Sequence, residues 1–150
     1  MSRRIAASVA AGAALLVGAG AYALAYAGDQ PPALTHGTAH YTAPAGDSAG
    51  SLSFTTDVTA SSGVKSVKVL AWPAHSSLAR TKLTAKDMTG AERATCRPSA
   101  KHTLHCTYTT PVTPAEAAES PHGAWHIAVL AEAENGTTTL DDEAADFTVR

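Results

Sequence analysis

At 150 residues the chain has room for one domain of common size and a short leader. Aromatic residues make up only 5% of it and charged residues 16%, with a formal net charge of −2. No basic surface is present to recruit nucleic acid, and the acidity is too slight to nominate a cationic partner. Large side chains are few, so Trp72, Trp125, Phe54 and Phe147 are the expected anchors of a core.

Residues 1–27 have the layout of a secretory signal: Arg3-Arg4, an Ala/Leu/Val/Gly run from Ile5, then small residues at Ala23, Ala25 and Ala27. Cleavage is expected after Ala27, with the product secreted. Ser2-Arg3-Arg4 resembles a twin-arginine signal, but Ala6 and Ala7 replace the bulky residues usual there, and general secretion is favoured. Left uncleaved, the segment is long enough to span a bilayer, though so much Gly and Ala makes a poor span. The leader is the only membrane contact expected. Without its two arginines, nine Lys and Arg face thirteen Asp and Glu, a net charge of about −4. Residues 28–34, with Pro31-Pro32, read as an extended lead-in without a fixed partner. The folded domain is expected over residues 35–150.

In that domain, residues 35–42 form a weak, polar strand suited to a sheet edge, and 43–50 form a loop. Residues 51–58 alternate, with Leu52, Phe54, Thr56 and Val58 on one side and Ser51, Ser53, Thr55 and Asp57 on the other. After the Ser61-Ser62-Gly63 turn, residues 64–72 carry apolar side chains on both faces, as a central strand does, and Pro73 ends the strand. Trp72 lies on the face opposite Val69, where the 74–90 crossover is expected to cover it. Within that crossover Thr84-Ala85-Lys86-Asp87 suits one helical turn with Thr84 as its cap, or an irregular connection. Ala94 and Cys96 going out, and Leu104, Cys106 and Tyr108 coming back, predict a hairpin around residues 98–102. Thr113-Pro114-Ala115-Glu116 starts a short helix with a capping box, which Pro121 and Gly123 stop.

The last stretch organises the rest. Trp125, Ile127, Val129 and Ala131 alternate with His126, Ala128, Leu130 and Glu132, and Ala128 and Leu130 predict that the second face is partly covered too. Asn135-Gly136 predicts a type I′ hairpin turn, 137–140 run back, and Phe147 and Val149 resume the alternation after a bulge or loop at Asp141-Asp142-Glu143. Strands at this spacing predict an all-β fold: a β-sandwich of the immunoglobulin-like kind, of about seven strands, with one short helix before the penultimate strand.

Cys96 and Cys106 are the only cysteines, and in an exported chain that favours a disulfide between them. If the two face each other across their hairpin, Ser99 faces Thr103 and a three-residue loop is left. A redox pair or metal thiolates are the competing readings, and both lack the usual C-x-x-C spacing. Seven histidines include the pairs His36/His40, His102/His105 and His122/His126, which could bind zinc or copper if the rings converge. Most of them sit in expected loops or on polar strand faces. Asp141, Asp142, Glu143 and Asp146, with Asp57 or Asp47, have the donors a calcium ion takes but no D-x-D-x-D-G pattern. There is no G-x-S-x-G elbow, H-E-x-x-H or phosphate loop. No catalytic residue, metal ligand or cofactor is assigned, and the chain is read as not an enzyme.

Ser62-Gly63-Val64-Lys65-Ser66-Val67-Lys68-Val69, the stretch from Gly123 to Val129, Asn135-Gly136-Thr137-Thr138-Thr139 and Phe147-Thr148-Val149 resemble bacterial immunoglobulin-like and fibronectin-III-like modules. The chain as a whole resembles a family of small secreted actinobacterial proteins classed as a domain of unknown function. The likeness rests on Ala39-His40-Tyr41-Thr42-Ala43-Pro44, Val69-Leu70-Ala71-Trp72-Pro73, Ala94-Thr95-Cys96, Cys106-Thr107-Tyr108 and Val112-Thr113-Pro114-Ala115-Glu116-Ala117-Ala118. It implies a fold and an address but no functional residue. One departure from antibody domains stands out: Cys96 and Cys106 lie too close in sequence to pin two sheets together. The expectation is a secreted, non-catalytic module that binds an extracellular protein or wall polymer through its loops, with no nucleic-acid partner. The alternative is an exported histidine-based metal-binding protein.

Overall fold

The computed structural model describes residues 30–150. The expected leader, residues 1–27, and its cleavage point lie outside the described residues. Strand-forming segments dominate, and they assemble into two four-stranded antiparallel sheets. The strands are β1 (Ala33–Thr42), β2 (Gly50–Thr59), β3 (Val64–Pro73), β4 (Glu92–Arg93), β5 (Thr95–Ala100), β6 (Thr103–Val112), β7 (Gly123–Ala133) and β8 (Thr138–Val149). The first sheet runs β1-β2-β6-β5 and the second β4-β3-β7-β8. This is the strand order of an immunoglobulin-like sandwich, with β4 in the extra position beside the third strand. Among the described residues the one α-helix, α1 (Pro114–Glu119), precedes the penultimate strand and carries its capping box: Thr113 Oγ1 accepts from Glu116 N–H, and Glu116 accepts from Thr113 N–H.

The alternation in β2 works as expected. Leu52, Phe54 and Val58 face inward and meet Val67 and Val69 of β3, Ile127, Val129 and Ala131 of β7, and Cys106 of β6. Ala128, on the other face of β7, is also fully buried. There it joins Trp72, Leu83 and Met88 in a second cluster beneath the 74–91 crossover. Lys68 ties that crossover down by donating to the carbonyls of Met88 and Thr89. The second sheet is thus covered on both faces, the first on one only.

Two bulges meet at the corner where the sheets touch. In β8, Ile127 pairs with Ala145 and Val129 with Asp141, so Asp142, Glu143 and Ala144 stand opposite Ala128 alone, the bulge expected at the acidic stretch. In β1, His36 and Gly37 stand opposite Thr56 alone. A Cβ on Gly37 would come within 2.0 Å of the Ala144 carbonyl oxygen. Gly37→Ala must push one backbone off the other and is expected to cost about 1–3 kcal/mol. Denaturant melts check this, and a neutral substitution would show that the two bulges do not press together.

Several local expectations give way to tertiary contacts. The lead-in does have partners: Thr137 Oγ1 donates to the Gln30 carbonyl at 3.2 Å, Thr139 Oγ1 donates to that of Pro32, Pro32 is buried, and the first strand starts at Ala33 rather than residue 35. The last hairpin has a three-residue loop, not a type I′ turn. Gly136 N–H bonds the Ala133 carbonyl, Ala133 N–H bonds the Thr137 carbonyl, and Gly136 alone has positive φ. In the β5–β6 hairpin Ala100, not Ser99, faces Thr103. Ser99 is extruded as a bulge and the turn is Lys101-His102, with His102 at φ 61°. Thr84 does not cap a helix either. Asp87 Oδ2 accepts from the N–H and hydroxyl of Thr84, closing a turn ahead of a 3-10 segment at Asp87–Gly90.

Candidate functional site

The uncovered outer face of the first sheet is where polar side chains gather. Residues paired across antiparallel strands point the same way, so the register places Ser53 between His40 and Thr109, Thr55 between Thr38 and Thr107, and Asp57 between Thr35 and His105. β5 extends two of these rows with Thr95 and Arg97. These rows are hydroxyl-rich and carry no Phe, Tyr or Trp. Thr95, Arg97, His105, Thr107 and Thr109 line a shallow trough of about 490 Å³ on this face.

Asp57 is the electrostatic centre of this face. Its Oδ1 lies 2.7 Å from His105 Nδ1 and its Oδ2 3.3 Å from His36 Nδ1. The hydrogen bond from His105 holds the carboxyl below its ordinary value of 3.8, against desolvation, with His36 helping. An ionised carboxylate only accepts, so His105 Nδ1 donates to it, while His36 Nδ1 stands at ion-pair distance. His36 reaches Asp57 from the β1 bulge, where its φ is 58°, an uncommon conformation for a residue with a side chain. Both rings are largely open to solvent.

The predicted histidine pairs do not converge as pairs. His36 meets His105 instead, through Asp57, while His40 stands further along opposite Ser53 and His102 forms the hairpin turn. His126 lies on the other sheet, its ring 4.7 Å from that of Trp72 and its Nδ1 2.6 Å from Asp146 Oδ1, with Glu143 at 4.0 Å from Nε2. The acidic residues of the β8 bulge are not brought to Asp57, since Asp146 is engaged with His126 and Asp141 accepts from Glu143 N–H. Among the described residues no group of three or more His, Cys, Asp or Glu side chains forms a metal cage. Cys96 and Cys106 are joined in a disulfide between adjacent strands of one sheet, with Cys106 buried against the core.

Residues 34–131 match a family described as a family of unknown function, DUF5707. The chain belongs to that family. Among curated proteins nothing matches it. The DUF5707 match runs from β1 into β7 and so takes in the hydroxyl-rich face, the His36–Asp57–His105 cluster and both cysteines.

Charge on this domain predicts its acid behaviour. Hydrogen bonds from His105, Thr84, Thr113 and Lys65 hold Asp57, Asp87, Glu116 and Glu132 respectively below their ordinary values of 3.8 for Asp and 4.5 for Glu. Each carboxyl binds its proton less readily when folded than when unfolded. Each therefore adds stability above its ordinary value, and that stability is lost as pH falls through the lowered native value. At the other end, burial and then the 2.6 Å hydrogen bond to Glu92 push Tyr108 up to about 12, so its contribution holds below its ordinary value of 10.0 and is lost as pH rises through about 12. Urea midpoints are expected to be flat near neutrality, to fall on the acid side and to fall again in strong alkali. An acid limb unchanged in Asp57→Asn would remove Asp57 from this account.

Proposed function

We propose that the chain is an exported, non-catalytic module that binds a cell-wall component or extracellular protein, and that it does so through the outer face of its first sheet rather than through its loops. The observation that carries this is an asymmetry. The crossover and its apolar cluster cover the outer face of the second sheet, whereas the first presents uncovered rows of hydroxyls, with His40, Asp57, His105 and Arg97 among them, on an antiparallel frame. An array of donors and acceptors suits a hydroxyl- and amide-bearing polymer held by many direct and water-bridged hydrogen bonds. The reading is non-catalytic because the charged cluster on this face stands open to water, which a reacting site ordinarily excludes. The disulfide and the signal-like leader support export, and the resemblance to small secreted actinobacterial proteins supports a bacterial wall as the nearest large ligand.

Co-sedimentation with insoluble wall polymer tests the proposal. The chain is expected to pellet with the polymer, and Thr55→Lys and Thr107→Glu, both on solvent-facing positions, are expected to weaken this at least tenfold while melting normally. Loss confined to loop variants would move the site. Failure to pellet, together with cross-linking of a specific protein in culture fluid, would make the ligand a protein.

A second reading, an exported histidine-based metal binder, is favoured by one observation: two imidazoles from distant strands share the Asp57 carboxylate.

A further inference from the structure

The geometry points to a binding site for a small zwitterion, an amino acid or short unblocked peptide, in the cavity between the crossover and the bulge of β8. Arg80 and Lys82 form the end that takes the carboxylate, and Asp142 and Glu143 the end that takes the ammonium group. The site lies against the second sheet and is separate from the hydroxyl-rich face of the first.

The first support is the distribution of charge. One cavity of about 360 Å³ is lined by Arg80 and Lys82 from the crossover and by Asp142 and Glu143 from the bulge. That volume stands at the small end for ligand pockets. Among the described residues no ion pair includes Arg80 or Lys82. Charges of opposite sign therefore line the same cavity without meeting, and each end is open to the opposite charge of a dipolar ligand. A ligand carrying one sign only would be repelled at one of the two ends.

The second support is how the walls are held. Thr81 is extended, at φ −119° and ψ 129°, so Arg80 and Lys82 on either side of it project the same way. Its hydroxyl donates to the Ser77 carbonyl at 3.4 Å and closes the 3-10 turn Ser77–Arg80. On the other wall the bulge sets Asp142, Glu143 and Ala144 opposite Ala128 alone, which takes the two acidic residues out of simple alternation. Trp72 joins the walls, because its Nε1 donates to the Asp142 carbonyl at 3.1 Å. The His126 ring lies 4.7 Å from that of Trp72, with Nδ1 2.6 Å from Asp146 and Nε2 4.0 Å from Glu143. Groups held in this way lose less freedom when a ligand arrives.

The third support is the rest of the lining. Ala74, Leu78 and the indole of Trp72 add apolar surface to the same cavity, which suits the carbon frame and small side chain of such a ligand.

The test is a titration of the isotopically labelled chain with alanyl-alanine, followed by NMR. Saturable shifts are expected for the Trp72 indole N–H and for the backbone amides of residues 80–82 and 142–143, with an affinity on the order of 1 mM because exposed charges are screened. N-acetyl-alanyl-alanine and alanyl-alanine amide each lack one charge and should bind about three- to fivefold more weakly. Asp142→Asn with Glu143→Gln should weaken alanyl-alanine by a similar factor and leave the acetylated peptide unchanged. Arg80→Gln with Lys82→Gln should weaken alanyl-alanine likewise and leave the amide unchanged. Such cycles separate a charge that meets the ligand from one that only supports the fold. Thermal melts identify any variant that fails to fold, and the comparison of the three peptides needs no variant. Equal binding of free and blocked peptides, shifts confined to other surfaces, or no saturable shift would each overturn the site. None of these outcomes touches the binding of wall polymer through the first sheet.

Discussion

Trp72→Ala is expected to cost about 3–5 kcal/mol, the range for a large aromatic removed from a packed interior. Trp125→Ala should cost clearly less. Reading alternation alone ranks them the other way, because Trp125 shares a face with the core residues Ile127 and Val129. The structure reverses the order. Trp72 is only 5% exposed, packs with Leu83, Met88 and Ala128, and donates from Nε1 to the Asp142 carbonyl at 3.1 Å. Removing it opens a cavity under the crossover and orphans a carbonyl at the β8 bulge. Trp125 is half-buried near the start of β7, where its Nε1 donates to the Pro121 carbonyl and its ring lies against Phe147. Chemical denaturation of both variants decides the matter, and a larger loss for Trp125→Ala would mean that the crossover does not seal the second cluster.

The second large effect is that of opening Cys96–Cys106. The bridge closes a short loop, with a sequence separation of 10, so the chain-entropy model gives it about 3 kcal/mol. The oxidised protein is expected to show no thiol to a blocking reagent under denaturing conditions. After reduction it should still fold, at a lower denaturant midpoint, because most of the inter-sheet cluster that holds Cys106 comes from Leu, Phe, Val, Ile and Ala side chains of other strands. The bridge links β5 to β6 inside one sheet and so does not hold the two sheets together. Unfolding on reduction would show that the β5 edge is needed to keep the first sheet assembled.

Much of the fold could be read in the chain because its signals are local. Period-two alternation in residues 51–58 and 125–131, apolar residues on both faces of 64–72, the Thr113–Glu116 capping box and the paired cysteines each report on backbone within a few residues. These features placed the strands, the helix and the two-sheet class, and identified 35–42 as an edge strand. Turn types were less legible. Asn135-Gly136 prefers a type I′ turn in isolation, yet Glu134 joins the loop once Ala133 pairs with Thr137, since the register of two long strands outweighs the preference of a dipeptide.

The candidate site was not legible at all. Asp57 was a polar position in an alternating strand and a possible companion of the 141–146 acidic stretch, and His36 and His105 each looked paired with a neighbour in sequence. Their meeting depends on which strands lie side by side, on a bulge that turns His36 across β1, and on the pressure of Ala144 against Gly37. By itself, then, the sequence determined the elements, their buried faces and the disulfide. Burial depth along a strand, the partners of the lead-in and the His36–Asp57–His105 cluster were decided only by tertiary structure, because each depends on residues distant in sequence, 48 positions for Asp57 and His105 and 107 for Gln30 and Thr137, brought together by strand order.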